Sequence, residues 1–556
     1  MKTKMKSVLL TVIGFVFALC LAVVCGLGFK PAYTVSANTA STLKMEDGAQ
    51  VRLVANDPGL RFTASISTEE YESVKAAGGT FGMFILPNVY NTANAIGEDT
   101  AFGANAVYCW GGKVDGKTQI IHCSTDNLTQ TSTDGNTTYF ACAITNIKVE
   151  NYEVDFFARA YYEVGGERVW ADANETNVRS VSYVAQKVLG YEKAGTYAPS
   201  AMGKTALLEY VTQFVEAEVD GEGAATGDAY LYVADLANVA SITIGGEEAS
   251  WVDMGGEVML SGLTTGRQTA TVTLANGSTW DLPFVYADYV IRDFADVKAL
   301  PQYYIDNDTD ERSNVVTLSH KYIVVANDVV CEATDIKHAT VATWFAGGTF
   351  DGYGHALKGL YVGQASKGLV GSLEGATIKD LALVDLVVNN TSTATSGLCG
   401  TVNAASKVEN VFISGYAATA NKDKVYLLGQ EIQGAIENCV VVDNSYDHNK
   451  GLTKNAVRAV LGMMKAEYTT AKLTNVVLKT FSTNYALCTG DTKDAANNRD
   501  AALNDARVEN LTRVGHTATA AMRTALETFA ALENKFTYDA TSATLYLNGN
   551  AIYVAA

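Results

Sequence analysis

Apolar and polar residues alternate strictly in several stretches of the first 220 residues. Leu60, Phe62, Ala64 and Ile66 fall on one side of such a stretch, and Arg61, Thr63 and Ser65 fall on the other. The same alternation returns at residues 140–144 and 154–162. A period of two is typical of a strand with one buried face, so this segment predicts a β-sheet, which we expect to form part of a sandwich.

Two stretches near the end of this segment have helical spacing instead. Valines recur at positions 178, 181, 184 and 188, and residues 207–215 form a second apolar stripe. The peptides at 59–64, 82–87, 158–161 and 179–181 resemble an uncharacterised module of surface proteins from gut Clostridia. The resemblance covers the whole segment and implies no activity.

A short run of small residues at 221–227 predicts a domain boundary. Short strand patterns follow at 230–233, 242–244, 258–260, 269–274 and 282–286, and Asn276-Gly277 is typical of a hairpin turn. We expect residues 228–288 to form a small immunoglobulin-like spacer.

An internal repeat dominates the chain beyond residue 289. Similar tetrapeptides end at Gly371, Gly400, Gly429 and Gly462. Each is followed by an apolar-x-Asx-apolar-x-apolar motif, whose Asx residues are Asp380, Asn410, Asn438 and Asn475. A unit of about 30 residues with short strands cannot bury its apolar face alone and must stack on copies of itself.

This repeat predicts a parallel β-helix. Leu381, Val411, Cys439 and Val476 would form one inward column, and Leu383, Ile413, Val441 and Leu478 the next. The Asx residues would stack at a corner, and the four glycines would lie where the chain bends tightly. A leucine-rich repeat is disfavoured because its helical half is missing. A helix at 517–532 and a hairpin at 535–547 would cap the exposed edge.

Residues 322–328, 344–357 and 368–371 resemble the opening of the right-handed β-helix of GLUG-type bacterial surface proteins, within the pectate-lyase-like superfold. The resemblance covers about residues 290–480. It implies a right-handed β-helix, and it says little about function because the superfold carries lyases, hydrolases and adhesin stalks alike.

The amino-terminal sequence predicts export. A basic start at residues 1–6, an uncharged apolar run at 8–24 and Val35-Ser36-Ala37 are typical of a signal peptide cleaved after Ala37. The alternative is an uncleaved anchor, since residues 7–29 are long enough to span a bilayer. The domain prediction is therefore a signal peptide at 1–37, a β-sandwich with helices at 38–220, the spacer at 228–288 and the β-helix with its cap at 289–556.

Charge and cysteine content limit the classes of ligand and metal site to be considered. The predicted leader holds four of the 41 basic and none of the 60 acidic residues, so the formal net charge falls from −19 to −23 on cleavage. That charge disfavours nucleic acids and anionic lipids. The seven remaining cysteines have no metal-binding spacing, and we expect them to be mostly buried thiols, with at most Cys123 and Cys142 bridged.

Candidate chemistry is sparse. Aligned coils place Asp385, Gly415 and Asp443 in one column, so the two carboxylates would be roughly 10 Å apart, which an inverting glycosidase could use; isolated acids on a solenoid are usually only solvated. His355 is expected to be a hydrogen-bonded corner residue. Residues 306–311 place acids at three positions of a calcium loop but lack its glycine, which favours a solvated turn.

We therefore assign no catalytic, cofactor-binding or metal-binding residues and no cofactor. The sequence favours a secreted or cell-surface bacterial protein with a non-catalytic, adhesin-like role, whose partner is an extracellular glycan or a surface protein. Membrane contact is expected only through a retained leader. The alternative is a carbohydrate-active β-helix enzyme, either a polysaccharide lyase or a glycoside hydrolase.

Overall fold

The computed structural model describes residues 41–53, 58–88, 113–114, 117–118, 121–124, 129–132, 134–145, 147–218, 226–300, 317–331, 342–363, 368–388, 395–417, 425–444, 461–465, 467–480, 487–488 and 505–555. The predicted signal peptide and the acidic loop at 306–311 lie outside these residues. The chain forms two compact units, Met1–Val188 and Leu189–Ala556. The finer domain boundaries stay predictions.

The first unit contains two larger antiparallel sheets and a separate two-stranded antiparallel pair. Its strands are β1 (Lys44–Met45), β2 (Gln50–Arg52), β3 (Gly59–Ser67), β4 (Thr80–Pro87), β5 (Lys113–Val114), β6 (Lys117–Thr118), β7 (Ile121–Ser124), β8 (Thr129–Thr131), β9 (Thr137–Thr145), β10 (Phe156–Val164) and β11 (Glu167–Trp170). One sheet has the order β1-β3-β9-β8, with β2 also on β3, and the other has the order β11-β10-β4-β7. Helix α1 (Thr68–Ala76) and 3-10 turns at Val149–Asn151 and Glu175–Asn177 connect them.

The inner faces of the two sheets form the core of this unit. The predicted inward residues of β3 are fully buried, and Phe81 of β4 lies 5.4 Å from Phe140 of β9 between ring centroids. Ser65, predicted on the solvent side, is also buried, because its hydroxyl donates to Glu46 at 2.5 Å. Cys142 of β9 is disulfide-bonded.

The helical prediction near residue 200 is partly wrong. Helix α2 (Val181–Lys193) begins after Val178, and α3 (Ala201–Val211) ends before Phe214 and Val215, which lie in β12 (Gln213–Glu216). The backbone becomes extended at Thr212, whose hydroxyl donates a hydrogen bond to the Leu208 carbonyl. The Gln213 amide then exchanges two 2.7 Å hydrogen bonds with the Tyr232 backbone, so a tertiary contact selects the strand.

The spacer, residues 228–288, is a small two-sheet structure. Its strands are β13 (Ala229–Tyr232), β14 (Val239–Ile244), β15 (Glu247–Glu248), β16 (Ser250–Asp253), β17 (Glu257–Ser261), β18 (Gly266–Leu274) and β19 (Thr279–Ala287), with a 3-10 turn at Leu236–Asn238. The sheets have the orders β12-β19-β18-β14-β15 and β13-β17-β16. The predicted Asn276-Gly277 hairpin is confirmed: it joins β18 to β19, and Gly277 has a φ of +82°.

A parallel β-solenoid follows the spacer. Its strands are β20 (Tyr289–Ile291), β21 (Thr317–Ser319), β22 (Tyr322–Val325), β23 (Val329–Val330), β24 (Ala342–Ala346), β25 (Thr349–Asp351), β26 (Ala356–Lys358), β27 (Tyr361–Val362), β28 (Val370–Glu374), β29 (Thr377–Lys379), β30 (Ala382–Val388), β31 (Thr395–Ser396), β32 (Cys399–Val402), β33 (Lys407–Glu409), β34 (Phe412–Ala417), β35 (Val425–Tyr426), β36 (Gly429–Ile432), β37 (Ala435–Asp443), β38 (Gly462–Met463), β39 (Lys472–Thr480), β40 (Leu487–Cys488) and β41 (Val508–Gly515), and helix α4 (Phe294–Ala299) lies near its start. The mainly β fold with a solenoid in the second half is thus confirmed.

The predicted inward columns are confirmed. Leu383 lies beside Ile413, Ile413 beside Val441 and Val441 beside Leu478 in the strand register. All eight predicted column residues are fully buried in one continuous cluster. Cys439 occupies a column position as a buried thiol, as expected of a small hydrophobic residue.

The Asx corner is also confirmed, and it is longer than predicted. Asp380, Asn410, Asn438 and Asn475 all have φ between +51° and +54°, and Asn510 joins them at +55°. Side-chain amides donate along the stack, from Asn410 to Asp380 at 2.9 Å and from Asn510 to Asn475 at 3.0 Å. Asx side chains tolerate this left-handed backbone better than other non-glycine residues, which explains the repeat.

The glycine prediction is wrong in two respects. Val370 pairs with Cys399, so Gly371 aligns with Gly400. Cys399 in turn pairs with Gly429, so Gly429 aligns with Cys399 and not with Gly400. Gly371 and Gly400 also lie inside strands β28 and β32, not at bends. Glycine is required at Gly462 for another reason: a Cβ there would collide with the Gly429 carbonyl oxygen of the neighbouring coil.

The carboxyl-terminal tail covers the outer face of one solenoid sheet. It consists of α5 (Thr519–Ala530), β42 (Phe536–Asp539), β43 (Thr544–Leu547) and β44 (Asn550–Val554). The predicted helix and hairpin are confirmed, but the surface they cover is an outward apolar column of the sheet: Ala356, Ala382, Phe412, Val440 and Val477. Outward apolar residues need such a cover because burial removes their surface from water.

Phe412→Ala tests this packing. Phe412 is fully buried and its ring lies 5.5 Å from that of Tyr553 in β44. We expect the free energy of unfolding to fall by about 3–5 kcal/mol, as for other buried phenylalanines, and residues 519–555 to become more sensitive to limited proteolysis. Val330→Ala is the control, because Val330 is 68% exposed. Equal stability and equal protection of the tail in both variants would contradict the packing.

Candidate functional site

The solenoid surface divides into faces with different chemistry. One face is covered by the tail, so it is closed to ligands. A second face carries the outward residues of β29, β33 and β37, where Lys407 pairs with Glu409 at 2.6 Å and with Glu437 at 2.8 Å. Because these charges neutralise one another, this face offers little to a charged ligand.

The third face carries a row that we call the strip. Parallel pairing places Trp344 of β24 beside Ser372 of β28, Ser372 beside Thr401 of β32 and Thr401 beside Glu431 of β36. Neighbouring strands are about 4.8 Å apart, so the strip is roughly 14 Å long. Its side chains point outward because the adjacent Phe345, Leu373 and Val402 fill the core.

An aromatic ring stands at each end of the strip. Trp344 is 38% exposed. At the other end Glu431 accepts a 2.7 Å hydrogen bond from the Tyr468 hydroxyl and pairs with Lys465 at 3.7 Å, and the Lys465 ammonium lies 5.5 Å from the Tyr468 ring. The strip thus combines flat apolar rings with hydroxyl and carboxylate groups between them.

A separate ionic cluster joins the spacer to the solenoid. Arg267 of β18 donates from Nε and Nη2 to the two oxygens of Asp351 at 2.6 and 2.5 Å, and from Nη2 to Asp380 at 2.5 Å. The Tyr322 hydroxyl donates to Asp351 at 2.5 Å. Asp351 is fully buried, and the guanidinium lies 4.6 Å from the centre of the Tyr353 ring.

Burial and charge act in opposite directions on this cluster. Burial alone would raise the pKa of Asp351, but the hydrogen bonds and positive charge of Arg267 outweigh it and hold the pKa below its ordinary value. Burial would lower the pKa of Arg267, and Asp351 and Asp380 raise it instead. Because each of these side chains is hydrogen-bonded to another member of the cluster or stacked on it, the cluster is an anchor between modules and leaves no group free for chemistry.

The predicted carboxylate column is wrong. Gly415 pairs with Leu386, not with Asp385, because β30 contains a bulge in which Asp385 is the extra residue with a φ of +55°. Asp385 is therefore exposed, whereas Asp443, which does pair with Gly415, is buried. The two acids are not brought together as an acid–base pair.

The prediction for His355 is confirmed. Its backbone carbonyl accepts a hydrogen bond from Ala382, and Nδ1 lies 3.6 Å from an Asp328 oxygen and 3.5 Å from the Asn550 amide. Burial acts to raise the pKa of Asp328, but hydrogen bonds from His355, Lys358 and the Ala356 N–H lower it to about 2. His355 is thus held by corner contacts.

Within the described ranges, no group of three or more histidine, cysteine or acidic side chains is arranged to hold a metal ion. Among the same residues, no helix has the length and apolar character needed to cross a bilayer.

Sequence reasoning missed the residues of the strip. A local signal was present: if Phe345 points into the core, alternation places its neighbour Trp344 outside. The register that aligns Ser372, Thr401 and Glu431 with it could not be read, because the intervals between coils differ. Arg267 carried no local signal, since its partners lie 84 and 113 residues away.

Comparisons with known proteins add little. No family model and no curated protein matches the chain. Two solved structures are similar over 44% of it: the C-terminal domain of the Streptococcus pyogenes antigen I/II-family protein AspA (8% identity, 98% of that chain, TM-score 0.15) and the Bacteroides ovatus mixed-linkage glucan utilization locus SGBP-B in complex with a mixed-linkage heptasaccharide (10% identity, 41% of that chain, TM-score 0.11). These TM-scores are too low to support an argument.

Asp351→Asn tests the ionic anchor. A carboxyl whose pKa is depressed by folding stabilises the protein above its unfolded pKa of about 3.9, and this contribution is lost as the pH falls through the folded value. We expect the variant to lose about 3–5 kcal/mol at pH 7, because Arg267 keeps only part of its partner set, and to show a shallower loss of stability below pH 4 than the unmodified protein.

Urea unfolding at pH 7 and pH 3 measures both effects. Asp385→Asn is the matched control, since Asp385 is exposed and its φ suits asparagine. An anchor role would be excluded if both variants unfolded at the same urea concentration at pH 7.

Proposed function

We propose that this chain is an exported bacterial protein that binds extracellular glycans without cleaving them. The observation that carries the proposal is the exposed Trp344 at the head of the strip of Ser372, Thr401 and Glu431. An indole ring packs against the apolar face of a sugar ring, and hydroxyl and carboxylate groups form hydrogen bonds with its hydroxyls.

The chemistry of the strip favours binding over cleavage. Glycoside hydrolysis requires two carboxyl groups that flank the scissile bond. Glu374, two residues beyond Ser372 on β28, accepts from the Ser372 hydroxyl at 3.4 Å, and Glu431 is already engaged by Tyr468 and Lys465. Its partners suit a fixed hydrogen-bond acceptor better than a proton donor.

Overall charge disfavours nucleic acids and anionic lipids as ligands. A chain with a formal net charge of −19 repels nucleic acids and anionic lipids. A neutral glycan does not meet that repulsion. The GLUG-like motifs at 322–371 and the spacer that we interpret as immunoglobulin-like fit a modular surface protein, and we include both in the proposal.

Export is supported by two features. The sequence at residues 1–37 has the composition of a signal peptide, and the disulfide at Cys142 suits an oxidising compartment. We expect expression in a secreting bacterial host to release a protein that begins at Asn38. Amino-terminal sequencing of the released protein checks this, and a membrane-bound product that begins at Met1 would favour the anchor instead.

Trp344→Ala tests the binding site. A glycan array identifies the oligosaccharide with the strongest signal, and isothermal titration calorimetry then measures its Kd. We expect at least a tenfold weaker Kd in the variant, about 1.4 kcal/mol, because the stacking surface is lost. Val330→Ala removes an exposed apolar side chain elsewhere on the solenoid and should bind as the unmodified protein does.

Two results would overturn the proposal. One is an array without signal, or equal affinity in the Trp344→Ala variant. The other is release of reducing sugar or unsaturated product from the bound polysaccharide, which would establish the enzyme alternative.

A further inference from the structure

A basin lies on the outer face of the first sheet in the amino-terminal unit. Strands β1 and β2 both pair with β3, and the loop between them, residues 46–49, bulges away to leave a cavity of about 330 Å³. That volume is within the range of small-ligand sites, roughly 300–1,000 Å³. The cavity is lined by Glu46, Asp47, Gly48, Ala49, Gln50, Arg61, Thr63 and Tyr139.

Strand register explains the depth of the basin. Arg61 lies opposite Ala143 and Thr63 lies opposite Ala141 on β9, so the neighbouring outward positions are only methyl groups. Tyr139 stands opposite Ser65 at one end. The small side chains of β9 leave space beside Arg61 and Thr63 of β3, and the Tyr139 ring bounds this space on one side.

The rim of the basin is held in place by hydrogen bonds. The Glu46 N–H donates to the Thr63 carbonyl at 2.9 Å, and the Gly48 N–H donates to the Thr176 hydroxyl at 3.1 Å. The Asn174 amide donates to Asp47 at 2.9 Å. A site shaped before the ligand arrives loses less entropy on binding.

The charged side chains around the basin differ in the partners that they already have. Glu46 accepts from Ser65 at 2.5 Å and lies 3.5 Å from Lys44. Asp47 accepts from Asn174 and from Thr176. Arg61, by contrast, has no acidic side chain within ion-pair distance among the described residues, although it lies at a cavity in an acid-rich chain.

We propose that this basin binds a sugar that carries a carboxylate, of the uronic acid class. The Arg61 guanidinium would take the carboxylate in a bidentate contact, and the Tyr139 ring would face the sugar ring. Glu46, Asp47 and Gln50 would accept from sugar hydroxyls with their remaining lone pairs. A peptide is a poorer fit, because the lining offers no apolar pocket for side chains.

This site is independent of the strip. It belongs to the other compact unit, and Arg61 lies in the 59–64 motif, to which no activity was assigned. A chain with both sites would contact glycans through two different chemistries, aromatic stacking at the strip and carboxylate binding in the basin.

The experiment uses the full mature protein and three small probes. Calorimetry or saturation-transfer NMR at low salt compares methyl β-D-glucuronide, methyl β-D-glucoside and an acetylated, amidated aspartate. We expect the glucuronide to bind at least tenfold more tightly than either of the other two. Arg61→Ala should abolish this preference, and Arg61→Lys should retain part of it, since lysine keeps the charge but not the bidentate geometry.

Three further variants secure the interpretation. Ala143→Leu places a larger side chain beside Arg61, keeps the guanidinium and should also weaken glucuronide binding. Loss of binding in both variants would therefore not depend on misfolding of the Arg61→Ala variant alone. Lys148→Ala removes an exposed positive charge elsewhere in the unit and should have no effect. Trp344→Ala should leave glucuronide binding unchanged, so the proposal for the strip and the proposal for the basin can be tested independently.

The proposal is overturned if the unmodified protein does not bind the glucuronide, or if the glucoside or the aspartate derivative binds as tightly. Equal affinity in Arg61→Ala and the unmodified protein would overturn it as well.

Discussion

Stacking of coils is the constraint on which the second unit depends. Each coil of about 30 residues exposes an apolar inner face that it cannot bury alone, so Leu383, Ile413, Val441 and Leu478 must lie one above another. Corners follow from this stacking, because Asn side chains in left-handed backbone donate to the coil next to them.

What surrounds the solenoid decides which outward positions are available. The tail buries the column that contains Phe412 and Val440, and the buried Arg267–Asp351 contact fixes the spacer against the corner. On the second face, Lys407 pairs with Glu409 and Glu437. The strip that begins at the exposed Trp344 lies outside the column that the tail covers, which is why it is the surface that we connect with a ligand.

The two proposed sites share a physical logic. In each, a rigid β-sheet holds side chains at spacings set by strand pairing, and an aromatic ring lies beside polar groups. They differ in charge, since the strip carries Glu431 paired with Lys465, whereas the basin carries Arg61 beside the carboxylates of Glu46 and Asp47. An acid-rich protein can approach an acidic polymer only where a positive group is locally accessible, so the half-buried Arg61, which forms no ion pair within the part of the chain that the structure describes, matters more here than it would in a basic protein.

The sequence by itself determined the features that repeat or that depend on neighbouring residues. Hydrophobic periodicity identified the inward columns, and the backbone preferences of Asx and glycine residues identified the Asx corner and the Asn276-Gly277 hairpin. Tertiary structure alone decided the bulge that separates Asp385 from Asp443, the strand at Phe214 and Val215, the step at Gly429 and the face that the tail covers. Each of these depends on which distant strand lies alongside, and pairing partners are selected by packing and hydrogen bonds between residues far apart in the chain.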